Sequence, residues 1–217
     1  MSNWSRRLTI IPGYVGTTVL VIATLVTALT YTGADGQRYS LLNHFVSELG
    51  HTQDSKLAAV FNAALVFGAL MLGLHLVGVG LRFRSFFRYI VCVVGAVVGI
   101  AGALVGVFPM DVNTNMHRLV ALGFFEGSLL LLIIFSLFVG LTRQRAYPRW
   151  MALLAIPMLA ANLVFLNELR LDGIDALALA LTLREPFRLI CASEWAVILA
   201  VLLWVVVMMF WRARQPD

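Results

Sequence analysis

Six long apolar stretches separated by short polar segments set the pattern of this chain. They cover residues 14–31, 57–81, 89–109, 119–142, 151–167 and 189–211. Each is long enough, as an α-helix, to cross a hydrocarbon core of about 30 Å. The pattern predicts an all-α fold: one polytopic membrane bundle of six helices, occupying the whole chain as a single domain. Turn residues mark the ends, with Thr32-Gly33 after the first span, Pro148 before the fifth and Pro186 before the sixth. Trp4, Tyr147, Trp150 and Trp211 fall where interfacial aromatics are favoured. The first span follows Ser5-Arg6-Arg7 but is too long for the apolar region of a signal peptide, so it reads as an uncleaved first helix. Gly95, Gly99, Gly102 and Gly106 recur three or four residues apart on the third span, a spacing that lets two helix backbones approach closely. Pro157 interrupts the fifth span and predicts a kink there, with the Leu153 carbonyl left without its usual donor.

The connection between the first two spans carries a second periodicity. Leu41, Leu42, Phe45, Val46 and Leu49 repeat at helical spacing, and His44, Ser47, Glu48 and His51 form a polar stripe at i, i+3, i+4 and i+7. With Ser40 as N-cap and Gly50 as stop, this predicts a short amphipathic helix near 41–49, lying on or dipping into the outer leaflet.

Composition removes the alternatives. Of the 217 residues, 61% are apolar and 12% charged, and mean hydropathy is +0.91, which excludes both a water-soluble globule and a disordered chain. The net charge of +5 does not indicate nucleic acid, because the bases (fifteen Arg and Lys56) cluster between spans, where they orient a membrane protein. Arg6, Arg7, Arg82, Arg84, Arg88, Arg143, Arg145, Arg149, Arg212 and Arg214 fall on one side with one acid, Asp217. The other side mixes Arg38, Lys56, Arg118, Arg170, Arg184 and Arg188 with Asp35, Glu48, Asp54, Asp111, Glu168, Asp172, Asp175 and Glu185. The positive-inside rule then places both termini in the cytoplasm, consistent with an even number of spans. The Lys-poor composition and short loops suit a bacterial plasma membrane. Cys92 and Cys191 sit at opposite depths, so they are not expected to pair.

Candidate chemistry gathers toward the outer half. Glu126 and Glu194 are ionisable residues within spans, costly in lipid and by default functional or specifically partnered. Asn62 and Asn162 enter at overlapping depth from the second and fifth spans. Together they predict a polar, carboxylate-lined site opening outward, with Arg118 and Arg188 as headgroup contacts or as ion-pair partners of the two acids. The loop stripe adds His44, Ser47 and Glu48 as acid–base or nucleophile candidates. The hairpin before the fourth span adds Asp111 and His117, for which ordinary turn chemistry is the competing reading. His44, His51 and His117 are the candidate ligands of a divalent metal, which requires the first two outer loops to be neighbours and either the side chains of His44 and His51 to lean together or the helix to break at Gly50. His75, alone at its depth, reads as a packed, hydrogen-bonded histidine. No phosphate-binding glycine loop, paired Cys-x₂-Cys, nucleophile elbow or His-Glu-x₂-His is present.

Asn43-His44-Phe45-Val46-Ser47-Glu48-Leu49-Gly50, then Phe61-Asn62, then Val107-Phe108-Pro109-Met110-Asp111 followed by His117, resembles the DUF998 family of six-helix membrane proteins. The likeness covers about residues 10–210, its distinctive positions lie in the first 120, and it lends no support to Glu194. A more distant likeness is to the Frag1/DRAM/Sfk1-type membrane proteins, some of them associated with lipid remodelling, and it raises a lipid reading by fold-level analogy.

The expected function is an outer-facing site that binds a membrane lipid or small amphipathic molecule and hydrolyses or transfers part of it. The alternative is a non-enzymatic transporter, or a binding or assembly subunit with a membrane-protein partner or a second copy. Topology is tested directly: Gly36→Cys should react with an impermeant thiol reagent from outside the cell, and Gln144→Cys only after permeabilisation.

Overall fold

The computed structural model describes residues 3–33, 36–144, 146–182 and 185–215, with the side chains of 3 and 171–182 outside that description. Of the charges used to orient the chain, Asp35, Arg145, Arg184 and Asp217 lie outside the described residues, as do the side chains of Asp172 and Asp175. The described residues form helices α1 (Asn3–Thr30), α2 (Ala58–Gly80), α3 (Phe87–Val107), α4 (Thr114–Leu141), α5 (Ala155–Thr182) and α6 (Leu189–Arg214), with no strand among them. Six segments are long and apolar enough to cross a membrane. The expected spans are met within a few residues, except that α1 and α4 begin earlier and α5 runs on past residue 167.

Each helix packs on the next, and α6 returns to α1, closing a ring of six. The Arg6 guanidinium donates to the Ala213 carbonyl at 3.0 Å, so the first and last helices meet at what we call the termini end. The opposite, loop end carries the connection between α1 and α2.

The closest pairing is α2 with α3, and its cause is legible in the glycine spacing. A methyl group on Gly99 would lie 2.5 Å from the Cα of Gly73, and one on Gly95 would lie 2.6 Å from the Cβ of Leu76. Only hydrogen at these positions lets the backbones touch, and in lipid that contact supplies dispersion energy that no hydrophobic effect between helices replaces.

The two halves of the ring are filled differently. Toward the termini end, Phe83, Phe135, Tyr147 and Trp204 pack edge to face at 5.2–5.9 Å, a favourable geometry for aromatic pairs. The Tyr147 hydroxyl donates to the Val79 carbonyl at 2.8 Å. Burial pushes the Tyr147 phenol's pKa above the tyrosine range, although Arg82 nearby pulls the other way. His75 is buried, its Nδ1 2.6 Å from the Thr9 carbonyl and its ring edge-on to Trp204, the packed histidine expected. Cys92 and Cys191 are both free.

The kink expected at Pro157 takes another form. Residues Arg149–Leu154 form a 3₁₀ helix and α5 begins at Ala155, which puts Pro157 in the first α-helical turn. That is where a missing N–H costs least. The 3₁₀ turns beforehand need no i→i−4 donor from residue 157.

Because the Gly73–Gly99 contact is backbone against backbone, neither side can yield. Gly99→Val should lower the detergent-solubilised protein's thermal midpoint by several degrees, in keeping with an overpacking cost of about 1–3 kcal/mol. Val97→Leu, on the exposed face of the same helix, should leave the midpoint unchanged.

Candidate functional site

The loop over the open half of the ring is held by side chains that intercept its backbone. The Phe45 N–H donates to Glu48 Oε1 at 2.8 Å, and the Val46 N–H donates to Glu194 Oε2 at 2.7 Å. The Leu42 carbonyl, which would accept from Val46 in an α-helix, instead accepts from the Arg188 N–H at 2.8 Å. The regular amphipathic helix expected over 41–49 is therefore absent. Residues 41–44 turn, and only Val46–Gly50 coils, as a 3₁₀ helix. Competition from carboxylates for backbone donors is the physical reason. Ser40 does act at the start of the turn, its hydroxyl accepting from the Leu42 N–H at 3.3 Å.

The expected faces are also reversed in part. His44, Glu48 and Leu49 are buried, while Leu41 and Leu42 are exposed. His44 sits in an aromatic box, with ring centroids 5.4 Å from Tyr31 and 5.0 Å from Tyr39. Its Nδ1 lies 2.7 Å from the Asn43 side-chain oxygen. Tyr39, which pattern reasoning missed, donates to the Phe45 carbonyl at 2.9 Å and accepts from the Trp195 indole N–H at 3.1 Å. Burial, with Glu194 adding to it, pushes the Tyr39 phenol well above the tyrosine range, so it stays a neutral donor. An aromatic residue beside the polar stripe was the available signal for it.

Beneath the loop lies a cavity of about 710 Å³. Among the described residues its wall comes from α1, α2, α3, α4 and α6, and is almost entirely Leu, Val, Ala, Phe and Gly. Polar groups collect at its loop end: Tyr39, Ser40, Ser47, His117 and Glu194, with Trp195 beside them. Glu194 is buried, and among the described residues the Val46 N–H is its one hydrogen-bond partner, leaving its second oxygen available to the cavity. At the far end Ser128 Oγ and Trp204 Nε1 are buried and have no partner among the described residues. Leu25 and Leu29 of α1 and Leu199 of α6 line the cavity yet are exposed, which marks a side opening between these two helices. Toward the termini end the same helices are in contact at Gly13 and Met209.

The expected site residues distribute unevenly around this space. Glu194, Ser47 and His117 line it. Glu126 does not: it sits on the exposed face of α4, and no partner for it is found among the described residues. It is nine residues beyond His117, which on an α-helix is half a turn away in angle, so it faces away from the cavity that Glu194 lines. Asn162 is buried but turned to its own helix, donating to the Met158 carbonyl at 3.0 Å. Glu48 serves the loop backbone, and Asn62 donates to the Gly50 carbonyl at 2.9 Å. A side chain on Gly50 would collide with that amide, which is why glycine stands there. Arg118 and Arg188 are half-buried outside the cavity lining, each with a guanidinium nitrogen that has no partner among the described residues.

The neighbouring loops do meet, through hydrogen bonds between Asp111 and Thr52. Asp111 Oδ2 accepts from the Thr52 N–H at 2.8 Å and its hydroxyl at 2.6 Å. His51 Nδ1 is 3.1 Å from Asp54, and His117 Nδ1 is 2.8 Å from the Phe108 carbonyl. With His44 in its aromatic box, the three imidazoles are engaged separately. Among the described residues no group of three or more metal-capable side chains is gathered. The Ser47 hydroxyl meets Met110 Sδ at 3.8 Å rather than a histidine or carboxylate, and among the described residues no base reaches it to activate it as a nucleophile.

Fold and site together define a six-helix integral membrane protein with an apolar cavity, polar at one end. The family described as "Protein of unknown function (DUF998)" matches residues 14–211, nearly the whole chain, and the protein belongs to that family. No curated protein and no solved structure matches it. The loop residues that carried the resemblance are the ones tying the loop end together: Glu48 to Phe45, Asn62 to Gly50, Asp111 to Thr52 and His117 to Phe108.

Asp111 gives this network a pH dependence with a definite sign. Partial burial pulls its carboxyl upward, but the two Thr52 bonds and nearby His51 outweigh that and hold it below the usual carboxylate range. A carboxylate lowered in the folded state stabilises fully above its unfolded value of about 3.9 and loses that contribution as pH falls through the lower folded value. Amide exchange over 51–57, corrected for intrinsic rates, should thus stay protected down to pH about 4 and rise below it. Asp111→Asn should remove the protection at neutral pH.

Proposed function

We propose that the protein binds a single-chain amphipathic lipid in this cavity, taken up from the bilayer between α1 and α6. The observation that carries this reading is the cavity itself: about 710 Å³ of apolar space opening sideways, with a carboxyl group at one end. Its size falls within the range of about 300–1,000 Å³ typical of small-molecule sites. An apolar chain fits the Leu/Val/Phe wall, and a head group bearing hydroxyl or amine donors suits the unoccupied oxygen of Glu194 and the hydroxyls of Ser40 and Ser47. We place the loop end on the outer face of a bacterial plasma membrane, in line with the arginine asymmetry. Hydrolysis or transfer of part of the lipid would need an activated group that the arrangement around Ser47 does not supply, so binding or carriage is the favoured reading.

Trp195 and Trp204 both line the cavity, which makes tryptophan quenching the natural assay. A monoacylglycerol brominated on its chain should quench the purified protein's fluorescence saturably. The corresponding brominated fatty-acid anion, which brings a charge into an apolar cavity and no donor for Glu194, should bind at least about tenfold more weakly, a difference of about 1.4 kcal/mol. Ala121→Phe, which fills the cavity, should abolish saturable quenching, and Glu194→Gln should remove the preference between the two head groups. Quenching that never saturates and ignores Ala121→Phe would show simple partitioning and overturn the proposal.

A further inference from the structure

Glu126 has no part in the cavity, yet its position is costly. It is the thirteenth residue of the 28-residue α4, so about 18 Å of helix lie before it and about 22 Å after it. In a segment that spans a bilayer this is close to the midplane, where a carboxyl exposed to lipid has neither water nor protein to bond. Its surroundings on the helix are regular. Leu119, Gly123, Glu126, Leu130 and Leu137 are all exposed, and Ile133 between them is half-buried. The steps run +4, +3, +4, +3, +4. This stripe is opposite the one that packs inward through His117, Ser128, Leu131 and Phe135.

Alternating steps of three and four are the spacing of a helix–helix seam, and one polar residue within such a seam fixes register. Gly123 lies one turn from Glu126 and would allow a close approach, since a methyl there meets nothing nearer than 3.8 Å within its own chain. A partner must satisfy the carboxyl. In its neutral form that group holds one donor and one acceptor, so it is complementary to itself across a two-fold axis. Copies inserted with the same topology present parallel α4 helices with Glu126 at the same depth. A second copy therefore meets both requirements with no further group.

We propose that this chain forms a parallel, two-fold symmetric dimer along the Leu119–Leu137 face of α4, with the Glu126 carboxyls of the two copies hydrogen-bonded to each other within the membrane. The contact is isologous and lies on the opposite face of α4 from the cavity, so each protomer keeps its own cavity. It is independent of the lipid-binding reading.

The test uses the full-length protein in liposomes, in a cysteine-free background (Cys92→Ala, Cys191→Ala). Gly123→Cys and Leu130→Cys should each give disulfide-linked dimers on mild oxidation, while Leu163→Cys, exposed on α5, should not. Single-molecule photobleaching of the labelled protein at low density should report two steps. Glu126→Gln, whose amide is likewise self-complementary, should keep the dimer, whereas Glu126→Leu should weaken association about tenfold. The leucine variant leaves an exposed apolar face, so its tryptophan fluorescence and thermal midpoint should match the parent's. One-step bleaching at every density overturns the proposal, as does equal cross-linking at Leu163→Cys. Dimerisation undiminished by Glu126→Leu would show that the carboxyls are not the contact, which also overturns it.

Discussion

The hydrogen bond from the Val46 N–H to Glu194 is the constraint around which the loop end is arranged. A carboxyl within a span needs a donor, and a loop folded over an open bundle needs acceptors for its backbone. One contact answers both needs. Once it forms, residues 41–45 cannot continue as an α-helix, Glu48 is drawn in to take the Phe45 N–H, and the Tyr39–Trp195 pair closes beside it. The loop becomes a roof with its polar groups inward. The apolar space below it is then bounded at one end by a carboxyl and at the other by the aromatic packing around Phe135 and Trp204.

How much of this the amino-acid pattern disclosed depends on the physical scale of each feature. Span positions follow from hydropathy over about 20 residues, a signal strong enough to survive local irregularity, and they were legible to within a few residues at most ends. The close pairing of α2 and α3 was legible too, because small residues at regular spacing have few other uses in lipid. The loop was not, because its 3.6-residue periodicity was real but lost to hydrogen bonds made with α6, some 148 residues away. Periodicity describes what a segment does alone, and Glu194 is not part of the segment.

Glu126 teaches a different lesson. Depth alone grouped it with Glu194, and depth is only one of two coordinates on a helix. Counting nine residues from His117 gives half a revolution, enough to place the two groups on opposite faces without any structure. Asn162 was likewise placed by depth, and it faces the Met158 carbonyl rather than the cavity. By contrast Glu194 and Trp195, adjacent in sequence, both line the same space, because a wide cavity accepts neighbouring angles at the end of a helix.

The glycine contact between α2 and α3 also bears on how the chain assembles. The connection from Gly80 to Phe87 is six residues long, and the contacts at Gly73–Gly99 and Leu76–Gly95 lie within about 26 positions along the chain. Closing so short a loop costs little entropy, and contacts this local form early. The second and third helices can therefore unite as a hairpin as soon as both have left the ribosome, before α4 and α6 exist to pack against them. The remaining helices then dock on a pair already in register. The roof over the cavity must form later than this hairpin, since its anchor on α6 is synthesised after both of these helices.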